Sequence, residues 1–150
     1  MNTAMRDDLA LMLVAKLQPT IEEYQLKVIR IDDEEALVVG STYALHFAVA
    51  DRDGLDVSYI ERDQRSQLLA YTLRPLVMER FTPEDRAHYG NPTTMKERVG
   101  ASVNVYASGL ANRCRDVLSG DKSWLKRDSW GAGRLSAEVE KVLVGELQKA

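Results

Sequence analysis

The sequence predicts an α+β domain: an N-terminal helix, an antiparallel β-meander of about four strands, then a helical C-terminal half packed on one sheet face. Three observations predict it. Apolar residues recur at three-to-four spacing near the N-terminus and again after Asp63, the period of an amphipathic helix. Between Tyr24 and Ile60 they alternate or gather in β-branched runs, the period of a strand. The joints between those runs are short and rich in Asp or Gly, which suits hairpins rather than parallel crossovers.

The first helix is read over about 4–18, with Asn2 or Thr3 as its cap and Met5, Leu9, Met12, Leu13 and Leu17 on one stripe. Asp7 and Asp8 oppose the positive end of the helix dipole. Pro19 is expected to stop it, because the residue before a proline avoids helical backbone. Tyr24 to Ile31 then reads as a strand, Asp32 to Glu35 as a turn, and Ala36 to Gly40 as a second strand. Tyr43, Leu45, Phe47 and Val49 alternate with smaller or polar residues, and Leu55, Val57 and Tyr59 do so after the turn Asp51-Arg52-Asp53-Gly54. That hairpin is the sharpest local expectation.

After Asp63 every element is expected to be helical. Ser66 to Phe81 carries Leu68, Leu69, Leu73, Leu76 and Val77, with Pro75 breaking or restarting it. Thr82-Pro83-Glu84-Asp85 opens a brief helix that Gly90-Asn91-Pro92 must end. The longest helix starts at Thr93 or Thr94 and runs on the stripe Met95, Val99, Val103, Tyr106, Leu110, Cys114 and Val117 to Gly120. At about 1.5 Å per residue it would span about 40 Å. Its middle is made of small residues that admit a close neighbour, inside the monomer or across a homodimer axis. Asp121 to Gly133 reads as a loop holding Trp124 and Trp130, and a last helix starts near Ser136.

Composition narrows the function classes. The 150 residues are 45% hydrophobic and 29% charged, which excludes disordered and fibrous classes and fits one domain spanning 1–150. The net charge of −3 hides an asymmetry: residues 1–60 hold 5 Lys+Arg against 11 Asp+Glu, and residues 61–150 hold 15 against 12. Nucleic-acid binding needs a broad basic face, so no nucleic-acid partner is expected. The longest apolar run, Ala10 to Ala15, is too short for a membrane span, which takes about 20 residues. No membrane partner is expected, and the single cysteine, Cys114, suits a reducing cytoplasm.

Catalytic and cofactor motifs are missing from the sequence. His46, His88 and Cys114 have no metal-ligand spacing. Asp51 to Arg62 fails as a calcium loop, with Gly fourth and Arg twelfth. Gly131-Ala132-Gly133 lacks the strand and third glycine of a dinucleotide site. Cys114 lies on an apolar stripe, as a core residue would. The reading is a non-enzyme with no cofactor and no metal. The candidate site is instead a surface. Alternate turns of a meander share one end of the sheet, so Asp32, Asp33, Glu34, Glu35, Asp51, Asp53 and Asp56 are expected to gather there. Such a patch attracts a basic protein partner and speeds its capture.

Two stretches, Leu45 to Asp51 continuing through Asp56 to Glu61, and Asp116-Val117-Leu118-Ser119-Gly120-Asp121-Lys122-Ser123-Trp124-Leu125, resemble the small immunity proteins that neutralise toxins delivered between competing bacteria. The resemblance covers under a quarter of the chain and assigns no contact residues. It implies a stoichiometric inhibitor, often acidic and often without catalysis of its own, and assigns no toxin; the acidic turns are what suit a basic toxin domain as partner. Two other classes compete. An export chaperone for a secreted effector is also small and acidic but interleaves later strands with helices, and no strand is expected here after residue 61. A small carboxylate-dependent enzyme would need a concave pocket near Asp51 or Asp56.

Overall fold

The structure, a computed structural model, describes residues 8–50, 54–127 and 132–147. The α+β architecture is present: helices, an antiparallel meander, then further helices. Helix α1 (Leu9–Lys16) is capped by Asp8, whose carboxylate accepts the Ala10 N–H at 3.0 Å. The Asn2 or Thr3 cap and Met5 lie outside the described residues. Pro19 does not end the helical region. It stands in the first turn of α2 (Gln18–Tyr24), where its missing N–H has no bond to lose. Gln25 closes α2 in the left-handed conformation, φ 54°, so the first strand begins later than its sequence suggests.

The sheet has five strands in the order of the chain: β1 (Lys27–Asp32), β2 (Glu35–Val39), β3 (Tyr43–Ala50), β4 (Gly54–Arg62) and β5 (Leu68–Thr72). Every neighbouring pair is antiparallel. The fifth strand corrects the expectation of a helix from Ser66 to Phe81. Leu68 to Leu73 is a short apolar run, which periodicity alone cannot assign. Pairing decides it, with Tyr71 opposite Tyr59 and Ala70 opposite Ile60. Pro75 then sits in the first turn of α3 (Arg74–Arg80), starting a helix rather than breaking one.

Helix α4 (Pro83–Ala87) carries the predicted cap. Thr82 accepts the Asp85 N–H, and the Asp85 carboxylate accepts the Thr82 N–H. The same carboxylate takes the Ser108 hydroxyl at 2.6 Å, tying α4 to the long helix. That helix, α5 (Met95–Arg113), opens on a second capping box, Thr94 with Glu97. It ends six residues short of the expected stop, because Cys114 leaves helical backbone (φ −129°, ψ 37°) before α6 (Arg115–Ser119). Gly120, at φ 93°, closes α6 in the left-handed cap. The stripe itself holds: Val99, Val103, Leu110, Cys114 and Val117 are buried. Its small residues are used inside the monomer. Gly109 meets the Phe81 ring, and Ala101 and Ser102 are buried where α5 crosses β4.

Strand alternation builds two apolar layers. Ala36, Val38, Tyr43, Leu45, Phe47, Leu55, Val57, Tyr59 and Tyr71 face α1, α5 and α6 in the larger layer. The other face is not left bare. Helix α7 (Ala137–Leu143), capped by Ser136, places Val139 and Leu143, with Leu147, on Leu37, Val39, Ala44, Ile60 and Leu68. The helical C-terminal half therefore covers one face with α5 and α6 and part of the opposite face with α7. Arg62 secures the arrangement by donating to the carbonyls of Val144 and Leu147. No helix among the described residues is long and apolar enough to cross a membrane.

The core contains groups that set an alkaline limit. Burial pushes the Cys114 thiol up from 9.0 to about 11 and raises the Tyr43 and Tyr59 phenols above 10.0. Each stays protonated in the fold at a pH where the unfolded chain would ionise. Stability is therefore full below about pH 9 and falls as pH rises toward 11. The thiol alone should remove about 2–3 kcal/mol across that window. Urea unfolding at pH 7, 9 and 11 measures this. A midpoint that does not move up to pH 11 would contradict the burial of all three groups.

Candidate functional site

The meander brings part of the predicted acidic set together. Asp32 closes β1, Asp33 and Glu34 form the turn, and Glu35 opens β2. Asp32 shapes this turn by accepting the Glu34 N–H at 2.8 Å, as aspartates do in Asx turns. The Glu34 carbonyl accepts the Val49 N–H at 2.9 Å, so the first hairpin turn lies beside the far end of β3. Glu35 pairs with Ala48, and Ala48 with Asp56, placing Glu35 and Asp56 on one face two strands apart. Asp51 and Asp53 lie outside the described residues.

The carboxylates differ in what they touch. Asp33 is matched by Arg30, which also binds the Asp8 cap. Glu35 is half-buried and meets His46 Nε2 at 2.5 Å, on the less apolar face that the sequence assigned to this histidine. Asp32, Glu34 and Asp56 are exposed and make no ion pair with any described residue. Of the five predicted carboxylates among the described residues, Asp32, Glu34 and Asp56 thus stand at this end of the sheet without an ion pair to a described residue.

A second charged cluster lies on β4, and sequence reasoning missed it. Glu61 is only 1% exposed. Its two oxygens receive Arg127 Nε at 2.7 Å and an Arg127 terminal nitrogen at 2.9 Å, a bidentate pair. Lys122 Nζ stands 3.7 Å from the same carboxylate, donates to the Tyr59 hydroxyl at 2.7 Å and to the Thr42 carbonyl at 3.0 Å. Burial lowers the Lys122 pKa, with Glu61 opposing the shift. Tyr59 stacks on Tyr43 and takes the edge of Trp124 at 4.7 Å. The signal was present in the sequence: Glu61 falls in phase with Leu55, Val57 and Tyr59, the inward positions of β4.

Beside this cluster is a cavity of about 570 Å³, lined by Glu61, Lys122, Arg127 and the β4–β5 turn. Its chemistry is that of an anchor. The guanidinium takes one lone pair on each Glu61 oxygen and so fixes the carboxylate in place. The cluster pins the segment carrying Trp124 and Leu125 onto the sheet, where Trp124 meets the Tyr59 ring, while its indole N–H braces the segment locally by donating to the Asp121 carbonyl. Trp130 lies outside the described residues.

Among the described residues no three His, Cys, Asp or Glu side chains converge as a metal site would require. Comparison of the chain with models of known protein families, with curated proteins and with solved structures finds no match.

Proposed function

We propose that this chain is a non-catalytic binding module, an inhibitor of the immunity-protein kind that neutralises a bacterial toxin by stoichiometric capture in the cytoplasm. The supporting observation is the set Asp32, Glu34 and Asp56, exposed and uncompensated on one end of a sheet. A basic toxin domain is the partner such a surface steers toward itself. The sheet holds these carboxylates in fixed register before binding, so little ordering entropy opposes the encounter.

The enzyme reading gains a concave site but not its chemistry. Asp56 lines a cleft of about 410 Å³, and among the described residues no second carboxylate or histidine lines it. Paired acid–base work by carboxylates needs two. Against the chaperone reading the sequence offers the expected lack of strands after residue 61, and β5 corrects that expectation. However, β5 follows β4 with no helix between them, so the strands remain consecutive rather than interleaved.

Partner capture from the native cell separates these readings, followed by kinetics with the identified protein. The double variant Asp32→Lys/Glu34→Lys breaks no ion pair with a described residue but gives up the Asp32 acceptor of the turn, so Asp32→Asn/Glu34→Lys, which keeps an acceptor there, is measured beside it. Association of the double lysine variant should slow at least about tenfold at low salt, with the difference shrinking as salt is added. An unchanged rate at low salt would remove the electrostatic basis of the proposal. A secreted effector as sole partner would replace the inhibitor with the chaperone.

A further inference from the structure

Strand β1 ends the sheet on the side away from β5. Its outward groups follow from the bonding of β2. Gly40 donates to the Tyr43 carbonyl and the Glu34 carbonyl accepts from Val49, so Ala36 and Val38, in phase with them, bond toward β3. Leu37 and Val39 are left for β1, where they stand opposite Ile29 and Lys27. Backbone groups of successive residues point to opposite sides of a strand. The N–H and C=O of Val28 and Arg30 therefore point outward, and on that side they share no backbone bond with a described residue.

The surface beside this edge is apolar. A groove of about 380 Å³ is walled by Val28, by Leu11 and Val14 of α1, and by Ile21 of α2. Leu11 is 44% exposed and Val14 47%, two of the four large hydrophobic side chains left exposed among the described residues. Charged side chains and bulges ordinarily blunt an outer strand, and here both are displaced from the outward pair. Arg30 turns its guanidinium to Asp8 and Asp33. The bulge falls between Arg30 and Asp32, at the end of the strand.

We propose that two copies of this chain join through β1 about a two-fold axis at Ile29, continuing one antiparallel sheet from copy to copy. An antiparallel edge is its own complement, as a closed two-fold interface requires. The register follows by elimination. Arg30 opposite Arg30 sets like charges together. Val28 opposite Val28 sets Arg30 against Leu26, whose N–H is already given to the Ile21 carbonyl at 2.9 Å. Val28 opposite Arg30 uses every outward group of both residues in both copies, with Ile29 facing Ile29 at the axis.

That register is also matched in charge. The bulge pairs Asp32 with Glu35, so Asp32 shares the sheet face of Ile29 and Lys27. Antiparallel pairing lays Lys27 of one copy, largely exposed, beside the Ile31–Asp32 end of the other. On the opposite face the two copies' Leu11 and Val14 lie on the same side of the axis, where they cover each other's grooves. Of the exposed carboxylates only Asp32 is drawn into this pairing. Glu34 and Asp56 stay open, so the dimer does not rest on the acidic surface.

The test needs no partner protein. Sedimentation equilibrium of the full chain from about 1 to 500 µM should show association that stops at two chains. Hydrogen exchange followed by NMR should show the Val28 and Arg30 amides slowing as the dimer fills. Val28→Pro removes an N–H that the sheet of a single copy does not bond, and should weaken association at least about tenfold. Leu11→Lys/Val14→Lys, at exposed positions of α1, should do the same if the proline disturbs folding, and Met78→Lys on the exposed face of α3 should leave association unchanged. A single-chain mass at every concentration or assembly beyond two chains would overturn the proposal. So would a dimer in which the Val28 and Arg30 amides exchange as before, association indifferent to both β1-side variants, or equal weakening by Met78→Lys.

Discussion

Arg127→Ala should destabilise the protein by about 2–4 kcal/mol, one of the two largest effects expected of a point substitution here. The reason is what the substitution leaves behind. Glu61 keeps its charge in a site that is 1% exposed, and its only close cation is then Lys122 at 3.7 Å. Removing one partner of a buried pair exposes the full desolvation penalty of the other. The cost stays below the upper range because the Arg127 side chain is itself 47% exposed and because Lys122 remains. A double-mutant cycle isolates the pair. In the Glu61→Gln background the loss of Arg127 strands no charge, so the combined variant should be more stable than the sum of the singles by at least about 1.5 kcal/mol. Additive singles, measured by urea unfolding at pH 7, would mean that water reaches Glu61 and that the anchor is not one.

Two glycines on α5 should respond to alanine with opposite signs. A Cβ on Gly109 would lie 2.3 Å from the Phe81 ring, closer than any side chain tolerates. Phe81 is buried and packs edge-on against Tyr106 at 5.5 Å, so it cannot swing away freely. Overpacking costs about 1–3 kcal/mol, more than the helix propensity gained. Gly109→Ala should lower Tm by about 5 °C, taking 2–4 °C per kcal/mol for a chain of this size. At Gly100 nothing lies within 4 Å of the same atom. Gly100→Ala should gain about 0.5–1 kcal/mol by removing unfolded-state freedom alone. Equal effects at the two positions would refute the close approach of α5 to Phe81.

These cases show how the sequence carries some information and withholds the rest. Glycine content in a helix is visible in the sequence, but the ring that makes one glycine indispensable comes from a residue 28 positions away. The capping boxes at Thr82 and Thr94 were legible because their partners sit three residues on. Pro19 reads as a stop for a local reason, whereas at Pro75 the sequence leaves breaking and restarting both open and the structure shows the restart. A proline ends a helix before it and starts one after it, and only the following turns decide which applies. The acidic turn was legible as a turn and as one end of a meander. The contacts of Asp33 with Arg30 and of Glu35 with His46 were not, because they depend on rotamers and on cross-strand position.

The sequence by itself determined the α+β class, the hairpin from Tyr43 to Ile60, the stripe of the long helix and the caps at Thr82, Thr94 and Ser136. These follow from periodicity and from contacts within one turn, where the chain cannot avoid its own neighbours. Tertiary structure alone decided that Leu68 to Thr72 is a strand, that α7 covers part of the opposite sheet face, and that Glu61 is buried with Arg127. Each of those outcomes depends on a partner far along the chain. Burial and strand pairing are properties of the assembled layers, and a short apolar run or an in-phase acid takes its meaning from what the fold places against it.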